Sequence, residues 1–208
     1  MLKSKTITIL SGPQGSGNHL FSKIFDLHPD VKGWDGINGD AYMGHSKEPY
    51  NEIWGNPDLI DTMEWGYDHH VISISCPYLN KGTVLIPDYK AVVDKFLSKG
   101  FNVQIGIISR DKNILELQQT RLRGEPTSEH FHNALEYLTS LPHTFLSFET
   151  AMIYQLDYVE AIGKLMGIPI NLVSEHYEKI FSINSNKAYI SQIDEGDFDK
   201  EARGACRE

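Results

Sequence analysis

What this chain of 208 residues lacks excludes several classes of function before any motif is read. It has no run of about eighteen apolar residues, so no membrane-spanning helix is expected. Its two cysteines, Cys76 in an apolar run and Cys206 in the tail, form no disulfide framework. A reducing, cytoplasmic setting is the simpler expectation. The opening "MLKSKTITIL" enters a strand pattern without a separate apolar region or cleavage site, so no secretory signal is expected. Positive charge is also short: 19 Lys and Arg stand against 28 Asp and Glu, a net charge of −9. That balance argues against nucleic acid as a partner. It leaves room for a small anion, which a few backbone N–H groups and one or two arginines can hold.

What is present reads as alternating strand and helix. The runs 6–11 (TITILS), 71–75 (VISIS), 102–109 (NVQIGIIS) and 144–148 (TFLSF) are short, apolar and rich in β-branched residues, as buried strands are. Between them lie helical patterns. Leu20, Phe21, Ile24, Phe25 and Leu27 share one face of 18–27. Tyr89, Val92, Val93, Phe96 and Leu97 do the same after Pro87, with Gly100 as the stop. Ile114, Leu115 and Leu117 follow Arg110, and Phe131, Leu135 and Leu138 follow a cap at Thr127 or Ser128. Asp157 and Glu160 have capping-box spacing before a helix that stops at Gly167 and Pro169.

This order predicts an α/β three-layer sandwich built on a mainly parallel sheet, in one domain over residues 1–193. Residues 32–68, with Trp34, Trp54 and Trp65, have weak periodicity and form an irregular aromatic insertion. Such a segment is either a lid or substrate-binding element, or a loop packed by its tryptophans. The acidic tail 194–208 is nearly free of apolar residues and is expected to be flexible.

The first strand feeds the glycine-rich loop "GPQGSG" and then a helix. Gly12 and Gly17 have the G-x-x-x-x-G spacing of a phosphate-binding loop, in which backbone N–H groups and the helix dipole converge on one anion. The alternative is a tight turn without a ligand. A triphosphate-magnesium function is disfavoured, because Asn18 and His19 stand where lysine and a magnesium-binding hydroxyl belong. The strand VISIS also ends in Cys-Pro rather than in an acidic residue. A ligand handled without a metal fits better.

Three stretches, "SGPQGSGNHLFSKIFDLHPDV", "VQIGIISRDKNILELQQTRLRG" and "TFLSFETAMIYQLDYVEAIGKLMGIPI", resemble in order and spacing the motifs of the sulfotransferase family. That resemblance implies a P-loop NTPase-like fold and 3′-phosphoadenosine 5′-phosphosulfate as co-substrate, used without a metal. It implies transfer of the sulfuryl group to a hydroxyl or amine of a small acceptor. Gln14, Gly15, Ser16, Gly17, Asn18 and His19 would then surround the 5′-phosphosulfate, and Arg110 would contact the 3′-phosphate. Gln118 stands at the position of the family's serine, and Lys187 substitutes for a C-terminal basic segment that is otherwise missing. The basic residue expected before Ser-Gly is replaced by Gln14 and Gly15. A non-catalytic nucleotide- or protein-binding relative is therefore the alternative, with a P-loop nucleotide kinase behind both.

For a general base, His19 lies in the loop itself, and His45 would approach if the insertion is a lid. The insertion's aromatic residues would suit a carbohydrate or another flat-faced acceptor. His69 and His70 fall at the amino end of their strand, away from the crevice, and read as structural. His130 and His132 flank an inward-facing Phe131 and read as solvated rather than as metal ligands. Arg110 has a second option, an ion pair with Asp111 or a tail carboxylate. Arg121 and Arg123 either complement a helix end or reach a phosphate.

Overall fold

Strands β1 (Thr6–Pro13), β2 (Val31–Lys32), β3 (His69–Cys76), β4 (Tyr78–Asn80), β5 (Thr83–Leu85), β6 (Asn102–Ser109) and β7 (His143–Ser147) alternate with helices α1 (Asn18–Asp26), α2 (Tyr89–Ser98), α3 (Lys112–Arg123), α4 (Glu129–Thr139), α5 (Phe148–Met166) and α6 (His176–Ser182). The structure, a computed structural model, describes residues 4–34, 50–80, 83–187 and 189. The tail 194–208, Cys206 and His45 lie outside the described residues. Five strands form one sheet in the order β2-β3-β1-β6-β7, every pair parallel, while β4 and β5 make a separate antiparallel hairpin.

Period-two alternation distributes the core over both faces of the sheet. Ile7 and Ile9 of β1, Ile72 and Ile74 of β3, and Val103, Ile105 and Ile107 of β6 share one face. There they meet Val92, Val93 and Phe96 of α2 and Phe131 and Leu138 of α4. Leu10, Val71, Ile108 and Leu146 point the other way, against Phe21, Ile24 and Phe25 of α1, Val159 and Ile162 of α5, and Phe181 of α6. The result is the three-layer α/β arrangement expected from the sequence. Short side chains cap the helix starts: Asp88 accepts from the Ala91 N–H at 2.9 Å, Asp111 from Ile114 at 3.0 Å, and Ser147 from Thr150 at 3.1 Å.

Several expectations change. β2 was not foreseen, because two residues are too few for an alternation signal. The helix expected to start near Asp157 starts at Phe148, one residue inside the run read as strand. Its capping-box sequence marks an internal break instead, at Gln155 with φ 45° and ψ −116°. α6 was also unread.

In the aromatic insertion, the described residues follow the second of the two alternatives, packing by tryptophans. Trp34, Trp54 and Trp65 are all buried, so they do not offer an open surface for an acceptor. Trp54 and Trp65 belong to the α2 side of the core, and the Trp65 indole N–H donates to the Ile60 carbonyl at 3.0 Å. Tyr50 stacks on Trp65 at 4.9 Å, and His70 meets it edge-on at 5.0 Å. His70 is fully buried, and burial together with the Lys5 charge pushes its pKa down to about 4. It is a neutral core histidine, as its place at the amino end of β3 suggested. Residues 35–49 of the insertion lie outside the described residues. Among the described residues, no helix is long and apolar enough to cross a membrane.

Candidate anion-binding site

β1 is buried almost to its end, so the chain must leave the sheet at Pro13 and turn at once into α1. Glycine makes that turn possible. Gly15 and Gly17 have φ of 88° and 116°, in the left-handed region that side chains disfavour. A Cβ on Gly17 would stand 2.7 Å from the Phe148 ring, and one on Gly12 would stand 2.5 Å from the Ile108 carbonyl oxygen. With Gly17 as its N-cap, α1 has no side-chain cap. The N–H groups of its first residues, Asn18 and His19, have no acceptor within their own helix. They point out of the loop together with the positive end of the helix dipole.

The polar side chains of the loop are mostly committed to the protein. Ser16 Oγ donates to Asn18 Oδ1 at 3.2 Å, and Asn18 Nδ2 donates to Ser75 Oγ on β3 at 3.2 Å. Gln14 is 1% exposed; its carbonyl accepts from Gln119 Nε2 at 2.8 Å, and its Oε1 accepts from Thr127 Oγ1 at 3.2 Å. Gln119 Oε1 in turn accepts from the Thr127 N–H at 2.7 Å and from Ser128 Oγ at 3.1 Å. The side chain at the position of the expected cation is thus turned inward to Thr127, between α3 and α4, while its backbone carbonyl ties the loop to α3 through Gln119. What the loop presents outward is backbone.

The cation arrives from the next strand. Arg110 follows β6 directly, and its Nη1 donates to the Gly15 carbonyl at 2.6 Å and to Gln118 Oε1 at 2.7 Å. Gln118 lies under the loop, since a Cβ on Gly15 would come within 3.0 Å of its amide. The guanidinium lies over the Phe148 ring at 4.7 Å. Nε donates to Asn186 Oδ1 at 2.7 Å and Nη2 to Ser185 Oγ at 3.1 Å. Burial lowers the Arg110 pKa from its ordinary value, opposed chiefly by the Glu149 carboxylate. Asp111 caps α3 rather than pairing with Arg110. Glu149 Oε1 accepts from the Asp111 N–H at 3.1 Å and from Asn186 Nδ2 at 3.2 Å.

The site therefore lies at the carboxyl ends of neighbouring parallel strands, β1 and β6. The chain leaves β1 towards β2 on one side and leaves β6 towards β7 on the other. Such a divergence opens the crevice in which α/β sheets receive ligands. A cavity of about 590 Å³ lined by Asp30, Asp68, His69, Glu160 and Lys164 lies at the opposite, amino end of the strands.

No family model and no curated protein matches the sequence. Sixteen solved chains match in structure. One is mouse sulfotransferase SULT7A1 complexed with PAP, at 16% identity and a TM-score of 0.45, covering 86% of this chain. This chain spans 63% of that one. A likeness at this level bears on neither activity nor ligand.

Of the residues singled out in the sequence, Gly15, Arg110 and Gln118 meet directly, and Lys187 is exposed one residue beyond Asn186. His19 is half-buried in the first turn of α1 with its ring 4.7 Å from Trp34, a face that Lys23 also covers. Gln119, Phe148, Ser185 and Asn186 were missed as site residues. Gln119 left a signal: it stands four residues after Leu115, a polar side chain on the buried face of an amphipathic helix. His130 and His132 are exposed, and among the described residues no group of three or more His, Cys, Asp or Glu can hold a metal ion. Arg121 packs its guanidinium 4.9 Å from the Tyr189 ring.

Proposed function

We propose that the chain is a sulfotransferase-like enzyme that binds 3′-phosphoadenosine 5′-phosphosulfate and transfers its sulfuryl group to a hydroxyl or amine of a small acceptor. The observation that carries this is the Arg110–Gly15 contact. A permanently charged, planar donor from the end of β6 reaches the backbone of the glycine loop at 2.6 Å. Backbone amides alone make a general anion cradle. An arginine held against that cradle from the adjacent strand suits a ligand with a second phosphate. The three motif stretches named above resemble the same family in order and spacing.

In this scheme the N–H groups of Gly15, Gly17, Asn18 and His19 hold the 5′ end of the donor, the Ser16 N–H being bonded to the Pro13 carbonyl, and Arg110 holds the 3′-phosphate. Gln118 orients Arg110, and Lys187 adds charge from the C-terminal side. Sulfuryl transfer forms a bond from the acceptor oxygen or nitrogen to sulfur and breaks the bond from sulfur to the donor phosphate. The acceptor's proton then needs a base, and His19 at the loop is the candidate among the described residues. The donor supplies the reactive group; the chain supplies position and electrostatic stabilisation.

A non-catalytic nucleotide-binding role is favoured by one specific feature, the burial of Gln14 against Thr127 in place of a loop cation. Fewer positive charges at the loop weaken transition-state stabilisation more than they weaken binding.

Thermal-shift titration with adenosine 3′,5′-bisphosphate, against ATP with magnesium, tests the scheme. Stabilisation by the bisphosphate without a metal is expected. A response to ATP-magnesium alone would contradict it. Binding without transfer to any of a panel of acceptors would assign the non-catalytic role.

A further inference from the structure

A guanidinium has five N–H donors. Four of those on Arg110 are in use, two towards the loop side at Gly15 and Gln118 and two towards Ser185 and Asn186. Phe148 covers one face of the group, and Arg110 is only 8% exposed. Ser185 and Asn186 belong to a turn that arrives from a distant part of the chain, closed by the Lys187 N–H bonding to the Asn184 carbonyl at 3.2 Å. The turn is fastened a second time, because Asn186 Nδ2 donates to Glu149 at 3.2 Å. Just beyond it, Tyr189 is buried against Arg121.

We propose that Ser185 and Asn186 form a self-inhibitory strap, whose neutral oxygens hold the Arg110 donors that an anionic ligand must take. A planar guanidinium binds a phosphate best with two parallel N–H groups. One uncommitted N–H cannot do this, so the strap must let go first. Exchange is favourable in one direction, since a phosphate adds the direct attraction of opposite charges that a neutral oxygen cannot offer the guanidinium. Ser185 and Asn186 thus set a threshold that a weakly held anion does not cross and a bisphosphate does. The identity of that bisphosphate rests on the function proposed above; the strap itself does not.

The test uses the full chain, with Asn186→Ala and the milder Ser185→Ala, each checked for native circular dichroism. Calorimetric titration with adenosine 3′,5′-bisphosphate should show tighter binding, on the order of tenfold for Asn186→Ala and less for Ser185→Ala. Ser185 is exposed and carries the test if Asn186→Ala does not fold. Unchanged or weaker binding in the folded variants would overturn the strap. A second readout needs no nucleotide: the rate at which phenylglyoxal modifies Arg110, followed by peptide mapping. Faster modification in the variants supports the strap, and equal rates overturn it. If the bisphosphate binds none of the proteins while modification still quickens, the strap stands and the nucleotide assignment falls.

Discussion

Two regions of the molecule are built on opposite physical terms. Around Trp65, aromatic rings and one neutral histidine fill a core, with Tyr50, His70, Phe96 and Phe101 within 5.7 Å of the indole. Around Arg110, the contacts are polar, hydrogen-bonded and centred on a buried charge. The first region has little to exchange with a ligand, because apolar contacts and a fully buried imidazole only lose by opening. The second can trade each neutral acceptor for a charged one. Both regions contain residues that the sequence made candidates for function, and they differ in what they can exchange with a ligand.

Removing Trp65 should break the aromatic region most severely. Trp65→Ala is expected to cost about 3–5 kcal/mol of stability in chemical denaturation, while the folded fraction keeps its affinity for the bisphosphate. A matching loss of affinity would show that the two regions are coupled.

His70 supplies a pH test of the same region. Its folded pKa of about 4 lies below the ordinary 6.5, so the unfolded chain binds the extra proton first. Stability is therefore fully present above pH 6.5 and falls as the pH drops towards 4, by about 3 kcal/mol in all. Denaturation midpoints measured across that window should show the fall in the wild type and not in His70→Gln. Equal slopes would mean that other groups dominate.

Gly17 tests the loop. Gly17→Ala forces a side chain into φ 116° and against Phe148, with an expected cost of about 1–3 kcal/mol and a weaker anion site. Unchanged binding would remove the loop from the site. A smaller effect is expected from Thr127→Val, which takes the hydroxyl from Gln14 Oε1 at a cost of about 1 kcal/mol in thermal denaturation.

Legibility in the sequence followed the range of the interactions. The apolar runs of β1, β3 and β6 alternate locally, and the glycine spacing of residues 12–17 is local too, so both were readable. The inward turn of Gln14 was not, because it depends on Thr127, 113 residues away. Nor was Asn186, whose bond to Arg110 spans 76 residues. The tryptophans of the insertion left two alternatives open for a related reason. An aromatic residue in an irregular segment has the same composition whether it lines a pocket or plugs a core, and only packing separates the two. Arg110 became a candidate through the family resemblance of its stretch and its place at a strand end, both local in sequence, while its bonds to Ser185 and Asn186 depend on the fold.

The central claim is that Arg110 and the glycine loop together form one anion site. Calorimetric titration of the wild type and Arg110→Ala with adenosine 3′,5′-bisphosphate, in the absence of metal, tests it most directly. Binding to the wild type with a loss of about a hundredfold in the variant is the predicted result, from two or more charge-assisted bonds. Equal affinity of the two proteins would contradict it.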